Sequence, residues 1–154
     1  MKFVFVLIFF ISFGLIEAQD HRSTALPNVL PLEQSFEMPG LDRDRGIRLY
    51  LPPSYQGSEQ RYPVIYMHDG QNLFDDSTAF LSEWGVDEIL NEIASEGGPE
   101  FIVVGIDNGG AKRTEELTPY VNAKYGGGRG ALYMDFIVKV IKPFVDENYR
   151  TLPA

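Results

Sequence analysis

Two unbroken apolar runs of strand length, Tyr62 to Met67 and Phe101 to Ile106, stand out along the chain. Neither has the polar alternation of a strand with one wet face, so both are predicted to be strands covered on two sides, as in a mostly parallel sheet between helices. Tyr62 to Met67 is expected at the sheet centre. Between the runs, Trp84, Val86, Ile89, Leu90, Ile93 and Ala94 recur at three- and four-residue spacing. That spacing predicts a helix with one apolar face and with Glu83, Asp87, Glu88, Asn91 and Glu92 on its water side. Gly97-Gly98-Pro99 closes it. After the second run, a glycine-rich loop from Asp107 to Gly130 leads into another helical pattern of Leu132, Tyr133, Phe136, Ile137, Val140, Ile141 and Phe144. Pro143 removes a backbone donor there, which predicts a kink or a restart.

Upstream, Ser35 to Met38 and Gly46 to Leu51 are short strand candidates, separated by a charged turn through Asp42, Arg43, Asp44 and Arg45. Residues 19–34 are polar, contain Pro27 and Pro31 and lack sustained periodicity, so they read as a loosely ordered leader. Residues 1–18 read as a signal peptide: Lys2 is a minimal positive region, Phe3 to Ile16 an apolar stretch, and Ile16-Glu17-Ala18 a cleavage site. As a helix the apolar stretch reaches about 21 Å, short of a hydrocarbon core of about 30 Å. Cleavage and a secreted or periplasmic destination are therefore expected, with no stable membrane span, and the folded domain is placed at 35–154.

Composition narrows the chemistry. A chain of 154 residues that is 44% hydrophobic can bury one moderate core. The formal charge of −9 is spread without a basic cluster, which disfavours nucleic acid as a partner. With no cysteine there is no disulfide, thiolate metal site or cysteine nucleophile. The two histidines, His21 and His68, lack the spacing of a zinc site. No metal and no cofactor is predicted.

The alternation of strands and helices argues for an α/β fold with helices on both faces of its sheet. Right-handed crossovers place the loops after Met67 and Ile106 on one carboxyl edge, where ligand chemistry collects. The candidate site is therefore His68, Asp69, Gly70, Gln71 and Asn72 from one loop with Asp107, Asn108 and Arg113 from the other. Adjacent strand-end residues point to opposite faces, so His68 is read as structural rather than as an acid-base partner of Asp69. Gly70 is expected at positive φ. Arg113 is expected to pair with Glu116 and hold the long loop, or to form with it an exposed ion pair of little energy. On the residues alone, His68 to Asn72 also reads as a tight turn that satisfies its own backbone. Gly126 to Gly130 lacks the lysine of a phosphate-binding loop.

Several of these segments, in this order, resemble the putative-esterase family of α/β-hydrolases, which includes esterase D-like proteins, feruloyl and acetyl-xylan esterases and enterochelin esterase relatives. The resemblance rests on Arg48-Leu-Tyr-Leu-Pro-Pro-Ser-Tyr55, Tyr62-Pro-Val-Ile-Tyr-Met-His-Asp-Gly-Gln-Asn-Leu-Phe-Asp75 and Val103-Val-Gly-Ile-Asp-Asn-Gly109. Arg113 with Glu116-Leu-Thr-Pro119, Tyr133-Met-Asp-Phe-Ile137 and Lys142-Pro-Phe-Val-Asp146 through Thr151 extend it. It implies the N-terminal half of an α/β-hydrolase sheet, with the serine-bearing turn, acid and histidine of the triad later than Thr151. No Gly-x-Ser-x-Gly turn occurs here, and Ser54, Ser77 and Ser82 stand in no strand-to-helix glycine turn. No catalytic residue is assigned. The resemblance makes Gly70, Gln71 and Asn72 an oxyanion-hole loop and His68, Asp69, Asp107, Asn108 and Arg113 substrate-binding residues. The expected function is that of the N-terminal part of a secreted or periplasmic serine carboxylic-ester hydrolase. Its substrate would be a small-molecule or carbohydrate-linked ester, and this chain alone would be inactive and prone to self-association through an unpaired sheet edge. The alternative is a non-catalytic carbohydrate- or ester-binding module in which Tyr120, Tyr125 and Tyr133 provide stacking surfaces.

Overall fold

The computed structural model describes residues 22–152. The signal-peptide segment and the first leader residues, through His21, lie outside the described residues. The main sheet has four strands in the order β1 (Val29–Pro31), β4 (Ile47–Tyr50), β6 (Ile102–Ile106), β5 (Val64–His68). β5 runs parallel to β6, from Val64 opposite Ile102 to His68 opposite Ile106. β4 is antiparallel to both β1 and β6. The fold is α/β as expected, but the described sheet is mixed, its parallel character confined to the β5 side. Tyr62 extends that side through a parallel bridge to Thr151.

The core lies on both faces of β6, whose five residues are all buried. On one face Leu49, Ile102, Val104 and Ile106 pack against Tyr133, Phe136, Ile137, Ile141 and Val145. These belong to α3 (Gly130–Phe136), a π-helical turn (Ile137–Ile141) and α4 (Lys142–Asn148). The helix does not restart at Pro143: a π turn carries it through, with Lys142 N–H donating to Ile137 O, and Pro143 is the second residue of α4. On the other face Tyr50, Val103, Leu73 and Phe74 meet Val86 and Leu90 of α1 (Val86–Ser95). Gly97, at φ 78°, stops α1 as predicted.

Four expectations are corrected. Among the described strands β6, and not Tyr62 to Met67, has a strand paired along its length on both sides, and Ile65 of β5 is 37% exposed. An apolar run marks a strand, but its neighbours decide how far it is buried. The leader is not loose throughout, because β1 pairs with β4 and Leu51 N–H donates to Asn28 O. The charged turn is a strand, β3 (Arg43–Arg45), antiparallel to β2 (Phe36–Met38), and the reversal lies at Pro39 to Asp42, with Gly40 and Asp42 at φ 78° and 50°. Finally, α1 is rotated from its predicted face. Asp87 is fully buried, whereas Trp84 and Ile89 are about half exposed. The cause is a polar contact, Leu26 N–H donating to Asp87 Oδ2 at 2.9 Å from the N-terminal strap laid over the helix. Asn91 also turns inward, accepting from Tyr50 Oη at 2.9 Å.

Candidate functional site

The loops that leave the carboxyl ends of β5 and β6 meet through direct hydrogen bonds. At the end of β5 the chain turns so sharply that Asp69 sits at φ 57°, followed by a 3₁₀ turn over Gly70–Asn72. Positive φ thus falls on Asp69 rather than on Gly70, a correction to the sequence reading. An aspartate tolerates this region when its side chain is held by local polar partners. Gly70 is needed for a different reason: a Cβ there would lie 2.6 Å from the carbonyl carbon of Gly105 and 2.8 Å from Ile106 N. The turn is pressed onto β6.

Within the turn the polar groups have distinct fates. Asn72 N–H donates to Asp69 O at 2.8 Å, Asn72 Oδ1 accepts from Phe80 N at 3.0 Å, and Asn72 O accepts from Trp84 N at 2.9 Å. Asn72 is therefore occupied with the loop that leads to α1. Gln71 Oε1 accepts from Asn108 N at 3.0 Å and so ties the two loops together. Neither Gly70 N–H nor Gln71 N–H has an acceptor among the described residues. Gly70 is buried against β6, while Gln71 is half-buried, so of the two uncommitted donors Gln71 N–H belongs to the residue nearer the surface.

Asp69 accepts from Arg113 Nε and Nη2, both at 2.7 Å, and from Asn108 Nδ2 at 2.6 Å. This fork lowers the Asp69 carboxyl below its usual range against the opposing effect of burial, and Asp69 in turn raises Arg113. Arg113 opens α2 (Arg113–Leu117) and is half exposed. Its expected pairing with Glu116 does not form. Glu116, buried, instead accepts from Arg43 Nη1 at 2.9 Å and Arg45 Nη2 at 2.7 Å. Asp107 pairs with Arg48 Nε at 2.9 Å and accepts its Nη2 at 3.3 Å, fixing the start of the second loop on β4.

His68 Nδ1 lies 2.9 Å from Tyr133 Oη, and Asp69 points elsewhere. Burial pushes the Tyr133 phenol well above its usual range. Beside this pair is a largely apolar cavity of about 260 Å³, lined by His68, Leu117, Pro119, Ala131, Tyr133 and Met134. Tyr133 is buried and presents no stacking face, unlike the exposed Tyr120 and Tyr125. Among the described residues no serine hydroxyl bonds to His68, and Ser54 is engaged with Tyr62 and Glu100. No helix among the described residues is long and apolar enough to cross a membrane.

The two loops meet through Asp69, Gln71, Asn108 and Arg113, while the Arg43, Arg45 and Glu116 cluster beside them was not anticipated. Arg43 and Arg45 do alternate, as residues on one face of a strand must, and that was the available signal.

An α/β layer with converging carboxyl-edge loops is the framework of the α/β-hydrolases, and comparison with known proteins bears this out. The model of the Putative esterase family matches residues 39–154, so the chain belongs to that family. The uncharacterized protein YbbA of Bacillus subtilis is 30% identical over 113 residues, covering 70% of this chain and 41% of the relative. An IroE-like serine hydrolase from Shewanella oneidensis superposes with a TM-score of 0.61 at 26% identity, over 79% of this chain and 40% of that one. A CE1 ferulic acid esterase from Anaeromyces mucronatus gives 0.55 at 25% identity, over 80% and 45%. The chain thus spans less than half the length of each of these proteins.

Proposed function

We propose that the chain is the N-terminal part of a secreted or periplasmic serine carboxylic-ester hydrolase, in which Gln71 N–H is one of the two donors to the oxyanion of the tetrahedral intermediate. The observation that carries this reading is the uncommitted Gln71 amide at the carboxyl end of β5, in a turn fixed by β6, by Asn108 and by the loop to α1. Such a donor accelerates acyl transfer because it is oriented before charge develops on the carbonyl oxygen. Asp69, gripped by Arg113 and Asn108 of the second loop, holds that orientation. The apolar cavity beside His68 and Tyr133 suits the non-polar portion of an ester, and likeness to a ferulic acid esterase supports an ester of an aromatic acid.

The reaction is attack of a serine hydroxyl on the ester carbonyl, departure of the alcohol with a proton delivered by the general acid, then hydrolysis of the acyl-serine by water. Serine, base and orienting acid come from sequence following Thr151. The parallel bridge from Tyr62 to Thr151 supports that placement, since it starts a strand beside β5. Export rests on the apolar stretch Phe3 to Ile16.

The test is hydrolysis of p-nitrophenyl acetate by the 154-residue chain and by a product extended through the downstream reading frame. The extended protein is expected to turn over and the short chain to match a denatured control. Turnover by the short chain contradicts the proposal, as does an extended protein without a serine turn.

A further inference from the structure

Away from the ester site, the N-terminal strap and the start of α1 enclose a group of carboxylates with no positive partner. Glu83, Asp87 and Glu88 each bring an oxygen into a cluster in which all the atoms lie within 4.8 Å of one another. None of the three takes part in a salt bridge among the described residues, although nine such bridges join other acids and bases. Two of the oxygens, Glu83 Oε2 and Asp87 Oδ1, are buried without any hydrogen-bond partner, and Asp87 is 0% exposed. The helix N-terminus accounts for acidic residues at Asp87 and Glu88, because its partial positive charge favours them. It supplies no partner to the two orphaned oxygens. Asp87 is fully buried, so an ionised carboxylate with one oxygen unpaired is unfavourable there.

We propose that Glu83, Asp87 and Glu88 form a structural site for a hard divalent cation, calcium in the first instance, which fastens the N-terminal strap to α1. The donor set is all oxygen, which suits calcium or magnesium and not zinc. Calcium accepts irregular sets of six to eight oxygens with water completing the shell, whereas magnesium demands a near-ideal octahedron. The remaining carboxylate oxygens are already committed to the strap: Glu83 Oε1 accepts from Thr24 Oγ1 at 2.5 Å, and Asp87 Oδ2 accepts from Leu26 N. A cation on the free oxygens would therefore link strap, loop and helix at one point. The same loop reaches the ester site, since Trp84 N–H and Val86 N–H donate to Asn72 O and Leu73 O.

Terbium is the direct probe, because Trp84 is the single tryptophan of the chain and adjoins Glu83. Terbium added to the full chain, with Trp84 excited where tyrosine does not absorb, is expected to give saturable sensitised emission. Calcium chloride should displace it with a dissociation constant on the order of 10⁻⁴ to 10⁻³ M, the range of extracellular calcium modules. Calcium should also raise the thermal unfolding midpoint. Glu88→Gln, at an exposed position, should keep the fold and weaken calcium binding by roughly tenfold or more through loss of ligand charge. Absence of saturable emission overturns the proposal. So does emission that survives both Glu83→Gln and Glu88→Gln, which would locate the ion elsewhere. An unfolding midpoint that ignores calcium but rises as pH is lowered overturns it as well, since protons would then neutralise the cluster.

Discussion

Two carboxylates anchor the loop that follows β6, and their surroundings are opposite. Glu116 is 1% exposed and lies between Arg43 and Arg45, the latter buried as well. Asp69 meets Arg113 in a two-pronged pair, but Arg113 is half exposed and one edge of the contact faces the cleft. The first cluster joins the β2–β3 hairpin to α2, with Glu116 and Arg45 almost wholly buried. The second joins the turn after β5 to α2 at the carboxyl edge of the sheet. Chemically similar pairs thus divide into one that holds the fold and one that aims a loop, and burial draws the division.

Breaking the buried cluster should have the largest effect. Glu116→Ala leaves Arg45 buried and uncompensated, a loss of about 3–5 kcal/mol, read as a shift in the urea midpoint with unchanged slope. A change within error of wild type would mean that the cluster is solvated in solution. Gly70→Ala comes next, because its Cβ cannot fit 2.6 Å from the Gly105 backbone. An overpacking cost of about 1–3 kcal/mol is expected by thermal unfolding, and full stability would show that the turn is not pressed onto β6.

Asp69→Asn is the smallest in stability, about 0.2–1 kcal/mol, because solvent screens a half-exposed pair. Its signature is pH dependence. The folded-state carboxyl lies below its unfolded value of about 3.9, so its contribution is present at neutral pH and lost as pH falls through the folded value. Wild type and Asp69→Asn should differ at pH 7 and converge in acid, as followed by unfolding at stepped pH. Parallel curves would contradict the Asp69–Arg113 pairing.

The sequence made the framework legible wherever a signal was local. Apolar runs marked β5 and β6, helical spacing marked α3 and α4, and the glycine pair marked the end of α1. Signals that depend on distant partners were not legible. Arg43 and Arg45 look like turn residues until Glu116, more than seventy positions on, takes their charge. Asp87 looks like a surface acid until the Leu26 amide turns it inward. β1 is three residues long and ends in Pro31, which gives periodicity nothing to register, and it exists because β4 offers it an edge. After β5 the loop was legible as a loop, but which amide it leaves free depended on where Asp69, and not Gly70, takes the left-handed turn.

The proposed oxyanion donor is one backbone N–H, and a substitution can remove it. Gln71→Pro in the extended protein deletes that donor at a position already in a helical turn, with glycine before it to accept the ring. If Gln71 N–H binds the oxyanion, kcat for p-nitrophenyl acetate should fall by about 10²–10³ while KM changes little, because the donor acts mainly in the transition state. A folded Gln71→Pro protein with undiminished kcat would show that Gln71 N–H does not bind the oxyanion.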